Sequence, residues 1–242
     1  MVVIGDVGGC FNSLMKLVAK FPANERLLFL GDLNDRGPSS REVISWVKDN
    51  GHECMHSNHG QMFCDFMLDT GIYEYGIWKQ NGGGETLDNY LVKGVTNCSH
   101  REQVWDEDDG DYCLRKIYYD PIIMEHVNWL NTRPLFHSSD GAYVTHAPLN
   151  PNARNPYDIT NLKTMDDNIL WNRTAPAPRE DGLISVFGHN GFFKRYYTED
   201  KKLHAVCIDA SREGYLCGYD TLKDIAYFQE IIETTCCVHR RV

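Results

Sequence analysis

The sequence lacks the marks of membrane, secreted and zinc-finger proteins. No apolar run approaches the roughly 18 to 20 residues that cross a bilayer, so we expect no membrane partner. The N-terminus lacks the basic start and the long apolar stretch of a signal peptide. None of the nine cysteines forms a CxxC pair. With no secretion signal, we expect reduced thiols and a cytoplasmic location.

An excess of positive charge is also missing. The chain has 24 Lys and Arg residues against 34 Asp and Glu residues, which gives a net charge of −10 at pH 7. An acidic chain repels nucleic-acid backbones at long range, so we expect no stable nucleic-acid binding. The acidic balance fits a protein whose carboxylates bind metal cations, although acidic cytosolic proteins are common.

Strand and helix patterns alternate along the first 70 residues. Short apolar runs, each followed by polar residues, predict strands at Val2 to Ile4, Leu27 to Leu30 and His52 to His56. Helical spacing of apolar residues follows each run, at Phe11 to Lys20, after Pro38, and at Gln61 to Leu68. This alternation is typical of an α/β sheet whose site lies at the C-terminal ends of the strands.

The rest of the chain has a different texture. A glycine run and an acidic run within residues 71–111 predict a loop-rich, partly helical insertion, and residues 112–130 have a helical pattern that Pro121 breaks. Ser139-Asp140-Gly141 predicts a hairpin turn. Further strands are predicted at 183–187, 193–197, 203–208, 215–219 and 225–229. Because no linker or repeat is visible, we expect a single domain over residues 1–242.

Five segments couple an apolar strand to Asp, Asn or His at its tip. They are Gly5-Asp6-Val7-Gly8-Gly9, Gly31 to Gly37, Ser57-Asn58-His59-Gly60, Thr145-His146-Ala147-Pro148 and Phe187-Gly188-His189-Asn190. These side chains are the ligands expected for divalent transition metals. Any one segment is more often a turn or a hydrogen-bonded histidine than a ligand. The ordered combination is hard to obtain by chance.

This combination resembles the PPP-type metallophosphatases, which include small bacterial and phage Ser/Thr protein phosphatases and symmetrical diadenosine tetraphosphatases. The family pattern is GDxHG, GDxxDRG, GNHE, a strand-end His and a late GH, and the resemblance runs from about Val2 to Asp220. Asn81 to Gly84, Trp171-Asn172-Arg173 and Cys207-Ile208-Asp209 add to it. The implied fold class is α/β, with two packed mixed β-sheets flanked by helices in a calcineurin-like metallophosphoesterase sandwich.

The resemblance also implies two divalent metal ions. Asp6 and Asp32 would hold the first metal, and Asp32 would bridge to the second. Asn58, His146 and His189 would complete the second site. Manganese is the first expectation, with iron or zinc as alternatives, because the ligand types alone do not rank these metals.

Catalytic roles follow from the same resemblance. A hydroxide bridging the two metals would attack phosphorus. His59 would protonate the leaving oxygen, and Asp35 would fix the orientation of His59. Arg36 and Arg173 would clamp the phosphate, because guanidinium groups match the geometry of phosphate oxygens.

The sequence departs from the family pattern most clearly at Gly8, which stands where the family has a metal-binding histidine. We therefore expect a weak first metal site in which water fills the vacancy. His52, His56 and Cys10 remain open as substitute ligands. His56 also stands where an arginine often precedes the third motif, and Gly60 replaces the glutamate of that motif.

The expected function is hydrolysis of phosphomonoesters, including phosphoserine or phosphothreonine in proteins, by a metal-dependent phosphatase. Two alternatives stay open. One is a dinucleoside polyphosphate hydrolase or phosphodiesterase. The other is a degenerate phosphate-binding protein with little turnover. The expected partner is accordingly a phosphorylated protein or nucleotide.

Overall fold

The computed structural model describes residues 1–70, 75–91, 100–106, 111–117, 120–160 and 162–233. The strands are β1 (Val2–Ile4), β2 (Leu27–Phe29), β3 (Glu53–Cys54), β4 (His100–Asp106), β5 (Asp111–Ile117), β6 (Phe136–Ser139), β7 (Ala142–Thr145), β8 (Ile184–Phe187), β9 (Lys194–Tyr197), β10 (Leu203–Cys207), β11 (Tyr215–Asp220) and β12 (Ile225–Glu230). The helices are α1 (Phe11–Val18), α2 (Ser40–Asp49), α3 (Asn58–Leu68), α4 (Tyr75–Trp78), α5 (Gly84–Tyr90) and α6 (Ile122–Asn131).

Ten of these strands form two mixed sheets of five strands each. The first sheet has the order β12-β11-β1-β2-β3, in which β1, β2 and β3 are parallel and β11 pairs antiparallel with both β1 and β12. The second sheet has the order β6-β7-β8-β10-β9, in which β7, β8 and β10 are parallel. Strands β4 and β5 form an antiparallel two-stranded sheet.

The residues of β1 show how the sheets pack. Val3 belongs to a buried cluster that contains side chains from both sheets, including Leu28 of the first and Val186 of the second. Val2 and Ile4 belong to a second cluster shared with helices α1, α2, α3 and α6. Because successive strand residues point to opposite faces, the first sheet is covered by the second sheet on one face and by helices on the other.

This arrangement confirms the predicted fold class of two packed mixed sheets flanked by helices. The helical prediction for residues 112–130 is wrong in its first part, because residues 111–117 form β5 and the helix starts only at Ile122. Antiparallel pairing with β4 decides the conformation there, as tertiary contacts often override local preference. The single domain over residues 1–242 stays a prediction.

None of the described helices has the length and hydrophobicity that a bilayer crossing requires. Cys54, Cys64, Cys207 and Cys217 are free and buried. Burial raises the pKa of each of these thiols, so they stay protonated and are poor metal ligands. Cys10 is disulfide-bonded, so the prediction of reduced thiols is wrong for this residue.

Candidate active site

A cleft lies where strand ends of both sheets meet. Asp6 and Asp32 follow the parallel strands β1 and β2, and Asn58 follows β3. His189 and Asp209 follow the parallel strands β8 and β10 of the second sheet. All five side chains line the cleft and are buried, because the carboxyl ends of parallel strands meet at one edge of a sheet.

His146 lies at the end of β7 and is completely buried beneath the cleft. Its Nδ1 lies 3.0 Å from the carbonyl oxygen of Leu30, and its Nε2 lies 2.8 Å from Asn58 Oδ1. Burial lowers the pKa of His146, and a neutral imidazole carries only one N–H. If Nδ1–H donates to Leu30, the Nε2 lone pair faces an acceptor oxygen, which a cation bound at both atoms would satisfy.

His189 completes a compact donor group. Asp32, His146 and His189 each place one ligand atom within 4.8 Å of the other two. Burial, with His146 and Arg173 nearby, lowers the pKa of His189 well below its ordinary value. A carboxylate and two neutral imidazoles are a donor set that divalent transition metals prefer. The residues present therefore fit a metal ion.

Asp32 stays ionised at this position. Burial opposes its charge, but His146, His59 and Arg36 outweigh burial and lower its pKa below the ordinary value. Its backbone N–H donates to Ser57 Oγ at 2.8 Å, and the same hydroxyl accepts the Gly60 N–H to cap α3. Ser57 therefore ties the first residue of α3, Asn58, to the end of β2.

Asp6 has a different environment. Burial and then the neighbouring Asp209 raise its pKa well above the ordinary value. The backbone N–H of His189 donates to both Asp6 oxygens, at 3.4 and 3.2 Å. A Cβ at position 188 would lie 2.3 Å from Asp6 Oδ1, so this close approach requires Gly188.

His59 sits between a carboxylate and a guanidinium. Its Nδ1 lies 2.5 Å from Asp35 Oδ2, and its Nε2 lies 2.9 Å from Arg36 NH2. The Asp35 carboxylate also accepts hydrogen bonds from Trp78 Nε1 and Thr86 Oγ1. The last two residues belong to α4 and α5, so the described part of the predicted insertion supports the site.

Arg173 also reaches the cleft, where its NH1 donates to the carbonyl oxygen of His189 at 2.7 Å. Burial and the nearby Arg212 lower the pKa of Arg173. The structure thus gathers the strand-end residues and the two predicted arginines around one cleft. Asp35 and His146 do not line the cleft themselves. Asp35 contacts His59, and His146 contacts Asn58.

Gly8 leaves open space. A Cβ built there would meet only the Asp35 carbonyl oxygen, at 3.7 Å, but the backbone has φ +54°, which L side chains rarely adopt. Neither His52 nor His56 lines the cleft. His52 packs against Trp46, and His56 bonds to Leu130 and Gln61. Neither histidine is therefore placed to substitute for the missing imidazole.

Two further charged residues of the cleft had no role in the sequence interpretation: Asp209 and Arg212. Asp209 stands in a motif that carried part of the resemblance, and its position after β10 repeats the strand-end pattern of Asp6 and Asp32. Arg212 lies in a short 3-10 helix, Ser211–Glu213, and no local signal marks it. Its side chain packs against Gly191, where a Cβ would lie 2.5 Å from Arg212 Cδ.

Comparison with known proteins gives a consistent picture. The profile of the calcineurin-like phosphoesterase family matches residues 1–229. The symmetrical bis(5'-nucleosyl)-tetraphosphatase of Methylobacillus flagellatus is 26% identical over 151 residues, which cover 61% of this chain and 43% of that protein. Serine/threonine-protein phosphatase 1 of Salmonella typhimurium is 33% identical over 84 residues, 34% of this chain and 38% of that protein. The matched regions thus span less than half of these relatives.

Two solved structures share the fold. A metallophosphoesterase from Sphaerobacter thermophilus superposes with a TM-score of 0.54 at 11% identity, covering 96% of this chain and 89% of that one. A protein serine/threonine phosphatase from Saccharomyces cerevisiae superposes with a TM-score of 0.52 at 16% identity, covering 96% and 80%. At these identities the likeness concerns the fold alone.

Proposed function

Because the chain belongs to the calcineurin-like phosphoesterase family, we propose that it hydrolyses phosphate esters with the help of two divalent cations. The proposed ligands are Asp6, Asp32, Asn58, His146 and His189. The observation that carries the proposal is the donor group of Asp32, His146 and His189, whose ligand atoms lie within 4.8 Å of one another. This group borders a cleft that three arginines, Arg36, Arg173 and Arg212, also line.

Bound cations would polarise the phosphoryl oxygens and lower the pKa of water, which is the chemistry that the side chains alone do not supply. Arg36 and Arg173 bind the phosphoryl oxygens through charge-assisted hydrogen bonds. His59 donates a proton from Nε2 to the leaving oxygen. Arg36 contacts this same Nε2 at 2.9 Å, so Arg36 must turn toward the phosphate before His59 can act as an acid.

Manganese is the proposed metal, and a phosphomonoester is the proposed substrate. The test starts from chelator-stripped protein and measures metal content by elemental analysis together with hydrolysis of p-nitrophenyl phosphate. We expect Mn²⁺ to restore two metals per chain and turnover. His189→Ala should lose metal and turnover together, whereas His52→Ala should keep both, because His52 lies outside the cleft.

The proposal fails if the stripped protein binds no metal, or if its turnover does not depend on metal. Binding of two metals without turnover of any phosphate ester would instead support a degenerate, phosphate-binding protein. The cytoplasmic location of the protein stays a prediction.

Arg212 favours a second candidate function, hydrolysis of a dinucleoside polyphosphate. Three guanidinium groups, those of Arg36, Arg173 and Arg212, line the cleft, whereas a phosphomonoester offers a single phosphoryl group. A relative that acts on dinucleoside tetraphosphates is among the matches.

Hydrolysis assays on diadenosine tetraphosphate and on a phosphoserine peptide distinguish the two functions. If the first is the substrate, Arg212→Ala should lower kcat/KM for it by roughly tenfold or more. The same change should leave the peptide rate unaffected.

A further inference from the structure

Two buried side chains of the predicted insertion, Trp78 and Thr86, have no role in the proposed function. Trp78 ends α4 and Thr86 lies in α5, and both are completely buried. The Trp78 ring stacks on Phe63 with 5.5 Å between the ring centroids, and a Cβ at Gly83 would lie 2.4 Å from the same ring. Because buried N–H and O–H groups are costly without partners, the polar atoms of Trp78 and Thr86 must be bonded inside the protein.

Their shared partner is the Asp35 carboxylate. Trp78 Nε1 donates to both carboxylate oxygens, at 3.2 Å to Oδ1 and 2.9 Å to Oδ2. Thr86 Oγ1 donates to Oδ1 at 2.6 Å and accepts the backbone N–H of Asp35 at 2.9 Å. Asn34 Nδ2 also donates to Oδ1, at 2.9 Å.

These donors use most of what the carboxylate can accept. Each carboxylate oxygen has two lone pairs, so Oδ1 is fully occupied and Oδ2 keeps one acceptor position beside the Trp78 N–H. His59 Nδ1 takes that position, at 2.5 Å. The plane of the Asp35 carboxylate and the place left for His59 are therefore both set by its other donors.

We infer that Trp78 and Thr86 are positioning residues for His59, which they orient by fixing the carboxylate of Asp35. The inference rests on the proposed function, in which His59 protonates the leaving oxygen. The last torsion of an aspartate side chain has broad preferences, so an Asp35 that lacks these donors can turn and offer His59 a different acceptor direction. A misplacement of about 1 Å in a catalytic group can slow a reaction by 10²-fold.

The same segment holds the other neighbour of His59, Arg36. The carbonyl oxygen of Gly82 accepts the Arg36 backbone N–H at 3.4 Å. Gly82 has φ +101°, and a Cβ there would lie 2.7 Å from the Arg36 nitrogen, so this approach requires glycine. Residues 78–86 thus contact both side chains that flank the His59 ring, Asp35 at Nδ1 and Arg36 at Nε2.

The test removes the Thr86 hydroxyl and keeps the shape of the side chain. Thr86→Val should lower kcat for phenyl phosphate by roughly tenfold, the effect of one lost hydrogen bond, with KM within about twofold of wild type. The loss should be smaller for p-nitrophenyl phosphate, because its less basic leaving oxygen depends less on protonation. Thr86→Ser retains the hydroxyl and should recover most of the rate.

Trp78→Phe is the second variant, because it keeps an aromatic ring against Phe63 and removes the N–H that donates to Asp35. It should show the same dependence on the leaving group, and it decides the matter if Thr86→Val does not fold. The melting temperature in chelator and the metal content by elemental analysis are measured for each variant.

Thr70→Val is the matched control. The Thr70 hydroxyl donates to another buried aspartate, Asp65, at 2.8 Å, but neither residue lines the cleft. Its kcat should stay within about twofold of wild type on both esters. A double variant isolates the route of the effect: because Thr86 acts through His59, Thr86→Val should cost nothing further in a His59→Asn background.

The inference is overturned if the variants keep wild-type rates, or if they slow both esters equally. It is also overturned if the loss persists in the His59→Asn background, or if Thr86→Ser is as slow as Thr86→Val. In each case the proposed function survives as long as wild type hydrolyses esters in the presence of Mn²⁺. Wild type without metal-dependent hydrolysis refutes both.

Discussion

His59 Nδ1 lies 2.5 Å from Asp35 Oδ2, and both side chains are almost completely buried. The carboxylate leaves one imidazole nitrogen, Nε2, which contacts Arg36, and both residues line the cleft. Asp35 thereby fixes the orientation of the ring and keeps a proton on Nδ1. A histidine held in this way can deliver a second proton from Nε2 and keep its positive charge stabilised until it does.

Replacing His59 should slow hydrolysis without removing metal. We expect His59→Asn to lower kcat by roughly 10²-fold, as for the loss of a general acid. The loss should be larger for phenyl phosphate than for p-nitrophenyl phosphate, because the more basic leaving oxygen depends more on protonation. Steady-state rates on both esters, with metal content by elemental analysis, check this expectation.

His52→Asn is the control for that variant, since His52 packs against Trp46 away from the cleft. Its rates should stay within about twofold of wild type. An equal loss on both esters would show that His59 acts on something other than the leaving oxygen, and an unchanged rate would remove it from the mechanism.

Asp35 should act through His59. Asp35→Asn keeps the size of the side chain, but its amide group would face the donors Trp78 Nε1 and Thr86 Oγ1. We expect a free energy of unfolding lower by about 1–3 kcal/mol, the cost of a buried unsatisfied group. Because its catalytic effect requires His59, the double variant Asp35→Asn, His59→Asn should be barely slower than His59→Asn. Additive losses in this cycle would mean that Asp35 contributes independently of His59.

Much of the site could be predicted from sequence because its residues follow strand ends. An apolar triplet followed by Gly-Asp, as at Val2 to Asp6, marks the end of a buried strand locally. Parallel strand ends lie at one edge of a sheet, so the order of such tips predicts that Asp6, Asp32 and His189 converge. The structure places all three at one cleft.

The remaining features depend on contacts between distant parts of the chain. The placement of Asp209 and Asp6 at one cleft needs β10 and β1, which lie in different sheets about 200 residues apart, so no local pattern specifies it. The Arg212 side chain packs against the distant Gly191, where a Cβ would lie 2.5 Å from Arg212 Cδ. The strand β5 has a mixed local pattern, and its antiparallel partner β4 decides its conformation.

Restoring a histidine at position 8 should bring two opposing effects. The backbone there has φ +54°, so both Gly8→His and Gly8→Ala should lose about 1–2 kcal/mol of stability in chelator. Only the histidine adds a metal ligand, and a Cβ at this position meets nothing closer than 3.7 Å. We therefore expect Gly8→His alone to bind the first metal more tightly and to turn over faster than wild type.

Urea denaturation with and without Mn²⁺ separates these effects, and free imidazole should partly stimulate wild type by filling the same space. Equal metal affinity and equal rate in Gly8→His and Gly8→Ala would contradict the role assigned to this position.

Acid should destabilise the protein through a histidine that does not line the cleft, His126. His126 is completely buried, with its ring bonded to Tyr90 Oη at 2.7 Å and to Ser45 Oγ at 3.2 Å. Burial, with Lys48 nearby, lowers its pKa to about 4 from 6.5. Between those two values the unfolded chain binds the proton and the folded chain does not, so stability falls as pH falls below 6.5 and is fully present above it. From these values, His126 should cost about 2 kcal/mol of unfolding free energy between pH 7 and pH 5.

His126→Gln retains hydrogen-bonding groups but does not titrate in this range. The difference between wild type and His126→Gln in urea denaturation with chelator should therefore change with pH by about this amount, in favour of the variant at pH 5. A difference that is independent of pH would show that His126 does not resist protonation in the folded protein.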